Sequence, residues 1–176
     1  MSLPQALAMD SGRGEAISQG GVPQMGIDTK LIHRIRADYQ LDWQGIHGVS
    51  HWSRVRQNGL RLAVENIADT SVIELFSVIH DSCRVNDTND PEHGPRAARY
   101  AEILRTEGII RLTDGQMKQL TAACEGHTHS HTHADMTIAT CWDADRLDLG
   151  RVGIRPDPQR MATQAGAMLA KTVEYL

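Results

Sequence analysis

The chain has 176 residues, enough for one domain with a buried core, and its net charge of −4 offers no basic field of the kind nucleic acid needs. No apolar run approaches the ~18 residues of a membrane span, and no signal-peptide pattern opens the chain. Aromatic residues make up 4 %, with a single Phe, so the core must be Leu, Ile, Val, Met and Ala, which suits packed helices better than a sheet.

Residues 1–26 are rich in Gly, Ser, Gln and Pro and carry no sustained period, so a flexible N-terminal arm is expected there. From Asp28 the pattern is helical: "DTKLIHRIRADYQ" puts Leu31, Ile35 and Tyr39 towards one face, with Asp28 or Thr29 as N-cap. "HGVSHWSRVRQNGLRLAVEN" places Val55 and Leu62 at helical spacing, interrupted by Gly59. "SVIELFSVIHDSCR" follows a Thr70/Ser71 cap, with Glu74 three residues after Ser71 as in a capping box. It is apolar on nearly every side and reads as the buried central helix.

The polar loop "VNDTNDPEHG" leads into "PRAARYAEILRTEG", a helix with Pro95 near its first turn and Gly108 just past its end. "TDGQMKQLTAACEG" reads as another helix. "THADMTIATCWDADRLDLG" is expected to be capped by Thr132 and to run to Gly150. "RVGIRPDPQ" reads as a loop. "RMATQAGAMLAKTVEYL" closes the chain as an amphipathic helix with Met161, Ala165, Met168, Leu169 and Val173 near one face, suited either to dock on the core or to form a homodimer. The expectation is one all-α domain over residues 27–176. Three scattered cysteines, Cys83, Cys124 and Cys141, form no C-x-x-C pair and read as reduced thiols in a cytoplasmic protein.

Nine histidines is a high count for this length, and acidic and imidazole groups collect near the ends of the predicted buried helices. His47 and His51 lie one turn apart, His80 and Asp81 are adjacent, and Asp143 and Asp145 share an otherwise apolar helix. Neighbours on a helix diverge by roughly 100°, so His80 and Asp81 can act together only on something wedged against the helix end. Imidazole and carboxylate without thiolate suit Zn, Mn, Fe, Co or Ni better than Ca. Taken alone, His80–Asp81 reads equally well as a capping pair. His33 reads as a surface residue, His129, His131 and His133 as a solvent loop, and Trp43, Trp52 and Trp142 as core or pocket wall. Asp143 reads equally as a hydrogen-bonding partner of a neighbouring helix, and Asp148 as balancing Arg146 or Arg151.

The order His51, His80–Asp81, Asp145, with "HWSRVRQNGLRLA", "VIHDSCR" and "WDADRLDLGRVG" around it, resembles the HD-domain superfamily of metal-dependent phosphohydrolases over roughly residues 43–160. The resemblance implies an HD-type helical fold and the metal ligands His51, His80, Asp81 and Asp145. Asp145 is favoured over Asp143 because it matches the ADR position, and His47 would line the pocket. "PEHGPRAA" and "CEGHTHSHTHAD" resemble elements that supply two further ligands in dinuclear members, which would be His93 and His127.

A divalent transition metal lowers the pKa of bound water and so supplies a nucleophile. Asp81 would orient it, and Arg54, one turn after His51, is the first choice to face phosphate. Arg84, Arg96 and Arg146 are weaker choices, and Glu92 or Asp87 would protonate the leaving oxygen. The expected substrate is a nucleotide or another small phosphorylated metabolite. A di-iron oxygenase with the same ligand pattern and a non-catalytic, metal-stapled ligand-binding domain are the alternatives.

Overall fold

The structure, a computed structural model, describes residues 27–172. The arm expected over residues 1–26 and the closing Val173 lie outside the described residues. Short polar side chains set the helix starts. Asp28 accepts from the Leu31 amide at 2.7 Å and opens α1, Thr29–Asp38. Gly48 precedes α2, Val49–Asn66, and Asp69 opens α3, Thr70–Ile79. His93–Thr106 forms α4, and Thr113 with Gln116 makes a reciprocal capping box for α5, Asp114–Gly126. Asp135 caps α6, Met136–Arg146, and Thr163 caps α7, Gln164–Ala170. Two short 3-10 turns, Leu149–Val152 and Pro158–Arg160, join α6 to α7. There is no strand among the described residues, so the all-α expectation holds.

Several local expectations are corrected. The cap of α3 is Asp69, which accepts from the Ser71 and Val72 amides, and Glu74 bonds Arg56 on α2 instead of reaching back. Helix α6 starts at Met136 rather than behind Thr132, because Asp135 holds the Thr137 and Ile138 amides, and it ends at Arg146. The segment read as a loop after it, residues 151–159, overlaps the two 3-10 turns at its ends. The closing helix is reduced to seven residues, with Met161 ahead of it. Gly59 does not break α2. A Cβ there would stand 2.5 Å from Ile73 Cγ2, so the missing side chain lets α2 and α3 approach.

α3 is the central helix, as its sequence suggested. Val72, Ile73, Phe76 and Ile79 are fully buried, covered by α2, α5 and α6, while α4 packs chiefly on α5. Trp52, Leu104 and Leu120 complete the main core. Leu62, Leu147, Met161 and Ala170 form a smaller cluster, against which Ala165 and Leu169 dock the closing helix on the chain's own core. Met168 is left exposed. Trp52 and Trp142 are core residues, with the Trp142 indole N–H donating to the Ala123 carbonyl at 2.9 Å. Tyr39, Trp43 and Trp52 meet edge to face. The three cysteines are free, and burial pushes the Cys124 and Cys141 thiols well up. None of the described helices is long and apolar enough to cross a membrane.

Candidate metal centre

The adjacency of His80 and Asp81 is resolved by where α3 stops. Ile79 is its last residue, His80 is the C-cap, and Asp81 lies in the turn that follows, closed by bonds from the Ser82 amide and hydroxyl to the Ile79 carbonyl. The pair therefore straddles a helix end, and both side chains turn to the same side of it. His80 and Asp81 are almost wholly buried, as are His51 on α2, His93 at the start of α4 and His127 at the cap of α5.

Tautomers decide what these groups present to one another. His51 Nδ1 lies 2.7 Å from Asp148 Oδ2, and His80 Nδ1 lies 3.0 Å from the Phe76 carbonyl. Both partners are acceptors, so each Nδ1 carries the hydrogen and each Nε2 presents a lone pair. Those two Nε2 atoms are 3.1 Å apart. Asp81 Oδ2 is 3.5 Å and Asp145 Oδ1 is 3.4 Å from His51 Nε2, and they stand 3.7 and 3.8 Å from His80 Nε2. His51 Nε2, His80 Nε2, Asp81 Oδ2 and Asp145 Oδ1 thus converge, and Asp145 Oδ1 is buried without a hydrogen-bond partner.

The second group repeats the pattern. His93 Nδ1 donates to the Asp90 carbonyl and His127 Nδ1 to the Cys124 carbonyl, so their Nε2 atoms, 2.8 Å apart, face each other as acceptors. Asp81 Oδ1 lies 3.2 Å from His93 Nε2 and 3.7 Å from His127 Nε2. Gly94 makes this meeting feasible: a Cβ there would stand 2.5 Å from the Cys124 carbonyl oxygen and 3.4 Å from His127 Cε1. Asp81 thus turns one oxygen to each group.

A cation fits both groups. Atoms about 2.1 Å from a common ion lie about 3.0–3.4 Å from each other at octahedral to tetrahedral angles, close to the separations found. His51, His80 and Asp81, and likewise Asp81, His93 and His127, could each hold a metal ion. Electrostatics point the same way. Burial works against every charge here, yet Asp81 is held well below the usual carboxylate range by His80, His127, His47 and His51. Asp145 is lowered by His80 and Arg151 against the cost of its burial. The carboxylates raise His51 and His127 despite their burial. His80, wholly enclosed, is pushed down to about 3 by burial. The cluster calls for positive charge while keeping His80 neutral.

The surrounding residues sort clearly. His47 Nδ1 stands 2.8 Å from Asp81 Oδ2, at the site as the helical spacing suggested. Asp143 faces away: it accepts from the Ala162 and Thr163 amides and the Thr163 hydroxyl, and ties α6 to the start of α7. Burial raises its pKa even so. Arg54 grips Asp148 with two bonds, Nε at 2.5 Å and Nη2 at 3.1 Å, and so sits behind His51 rather than in the open pocket. Asp148 was read from sequence as a mere counter-charge; the structure makes it the residue that fixes the His51 ring. Its spacing three after Asp145 was the available signal.

A pocket of about 510 Å³ opens at the centre, lined by Asp81, His93, His127 and Asp145 and by Arg84 and Arg151, among others. Arg84 Nη1 is 3.5 Å from Asp81 Oδ1, and Arg151 Nη2 is 3.8 Å from Asp145 Oδ1. Arg146 lines it too, with its guanidinium bonded to the carbonyls of Ser130, His131 and Arg160. Arg96 is bound to Asp90 and the Cys83 carbonyl, and neither it nor the exposed Asp87 and Glu92 lines the pocket. His33, His129, His131 and His133 are exposed, His131 at the pocket rim, and His133 Nδ1 accepts from the Asp135 amide. No family model, curated protein or solved structure matches the chain.

Proposed function

We propose that the chain is a metal-dependent hydrolase of phosphate esters, of the HD type that its motifs resemble, with a dinuclear centre shared through Asp81. The observation that carries this reading is the convergence of buried imidazole nitrogens in two groups on the two oxygens of one carboxylate, beside a pocket flanked by arginines. His51, His80, Asp81 and Asp145 would hold one ion, and Asp81, His93 and His127 the other. A divalent transition metal supplies Lewis acidity towards a phosphoryl oxygen and acidifies water.

The chain's own residues do the rest. Arg84, beside Asp81, and Arg151, beside Asp145, would hold phosphate oxygens, a role guanidinium fills well. Both are nearly enclosed, so water competes little for them. Arg54 acts at one remove, holding Asp148 and through it the His51 ring.

The test is metal content and phosphate release by the purified chain. About two equivalents of a transition metal, and metal-dependent release from a nucleotide monophosphate or p-nitrophenyl phosphate, are expected. Both should vanish in Asp81→Ala with helicity unchanged. Phosphate release that persists in that variant would refute the reading. Iron as the bound metal, with oxygen uptake and no phosphate release, would transfer the site to the oxygenase class.

A further inference from the structure

Asp81 can serve two groups only if its carboxylate keeps one orientation, with Oδ2 turned to His51 and His80 and Oδ1 to His93 and His127. Its own rotamer does not secure this, because the last torsion of an aspartate has broad wells. A partner outside the two groups has to fix the plane.

His47 is placed to do so. Its Nδ1 stands 2.8 Å from Asp81 Oδ2, nearer than any candidate ligand comes to either oxygen; the next is His93 Nε2, 3.2 Å from Oδ1. The carboxylate is an acceptor, so the His47 Nδ1–H donates. The family resemblance implied a place in the pocket wall, but His47 lies outside that wall and outside both groups of candidate ligands. Whatever it does for the centre, it does through Asp81.

The backbone that carries His47 is fixed as well. It is a double turn ahead of α2, in which the Gly45 amide donates to the Asp42 carbonyl at 2.8 Å and the Gly48 amide to the Gly45 carbonyl at 3.0 Å. The Val49 amide closes it on the Trp43 carbonyl at 2.9 Å. A Cβ on Gly48 would stand 2.2 Å from the Trp43 carbonyl oxygen, so this close approach requires the glycine that follows His47. Arg151 pins the residue before it, donating to the Ile46 carbonyl at 3.1 Å.

We propose that His47 is the positioning residue that makes Asp81 a bridge, locking the carboxylate plane so that each oxygen serves one ion. This rests on the dinuclear part of the reading above and not on which bond is cleaved.

The experiment is stepwise titration of the metal-free full chain with Mn²⁺, comparing wild type with His47→Ala and His47→Asn, followed by electron paramagnetic resonance at saturation. Wild type should take two equivalents and show two manganese ions coupled magnetically through the shared carboxylate. His47→Ala should keep its helicity, weaken both binding steps about 10–100-fold and lose the coupling. His47→Asn puts an amide N–H where the Nδ1–H stands, so it should restore the coupling and bring both affinities within about threefold of wild type. A general loss of packing would weaken the two variants alike. Wild-type behaviour in His47→Ala, weakening confined to one step, or an Asn variant no better than Ala overturns the proposal. One equivalent in the wild type overturns it together with the dinuclear reading. Two coupled ions that depend on His47, without phosphate release in any metal, keep this role and remove the hydrolase.

Discussion

Replacing Asp148 with Ala takes the acceptor from the His51 Nδ1–H and the partner from Arg54 in one step. The carboxylate lies 2.7 Å from the first and 2.5 Å from the second. His51 is wholly buried, so its donor would be stranded, at a cost of about 1–3 kcal/mol. The Arg54 side chain is 45 % exposed, and water replaces most of that bond, leaving about 0–1 kcal/mol. A stability loss of about 1–4 kcal/mol is expected in denaturant titration.

The consequence for metal is more selective. An imidazole without its outer partner is free to rotate or to take the other tautomer, which lowers affinity about 10–100-fold. Only the group containing His51 should suffer, because His93 and His127 are held by the Asp90 and Cys124 carbonyls. Stepwise titration of metal-free protein with Zn²⁺ or Mn²⁺ should show one binding step displaced and the other in place. Asp148→Asn, which keeps an acceptor, should fall between. Equal weakening of both steps, or of neither, would refute the assignment of Asp148 as the anchor of one ligand.

Asp81 is common to both groups, so Asp81→Ala should lose both metal equivalents, while His93→Ala/His127→Ala should retain about one in elemental analysis. Gly94→Ala should cost about 1–3 kcal/mol and weaken the second binding step, because its methyl group would press on the Cys124 carbonyl and spread α4 from α5; unaltered chemical denaturation would contradict the close approach. Asp135 and Asp38, away from the candidate metal centre, should contribute to acid stability. Burial opposes their charge, but Gln119 and two amides hold Asp135 below its ordinary value, and Tyr100 with Arg34 does the same for Asp38. A depressed folded pKa means the stabilisation is complete above the unfolded value of about 4 and disappears as pH falls through the folded one. The Tm should therefore drop on acidification below about pH 4, and Asp135→Ala should flatten that drop while costing about 1 kcal/mol at neutral pH. A slope identical in the variant would exclude Asp135 as a contributor.

Much of the candidate site was legible because its residues sit where a buried helix carries a polar side chain without a local excuse. His51, His80 and Asp145 are such residues, and the structure brings His51 and His80 to Asp81 and Asp145 to His51. His93 and His127 were reachable through their motifs, and Gly94 shows why the glycine follows the histidine. Asp148 was barely legible as an anchor: its spacing three after Asp145 is the one local signal, and its bond to His51 spans 97 positions. Arg54 followed the same fate: spacing put it beside His51 but did not reveal which side of the ring it would occupy. Helix starts failed where several capping residues stood together. Asp69, Thr70 and Ser71 can each cap, and the Asp69 amide's bond to Thr137 Oγ1 at 3.0 Å is a tertiary preference for the first.

The six candidate ligands come from α2, the end of α3, the start of α4, the end of α5 and α6, so five of the seven α-helices among the described residues meet around Asp81. A cation that binds this arrangement and not the unfolded chain pulls the folding equilibrium with it. At a free concentration one hundred times its Kd, that pull is about 2.7 kcal/mol. Against the roughly 5–15 kcal/mol that holds a typical domain together, metal supply becomes a determinant of how much folded protein exists. Chelation would then shorten the protein's lifetime as well as silence its chemistry, and the melting curve would serve as a gauge of free metal.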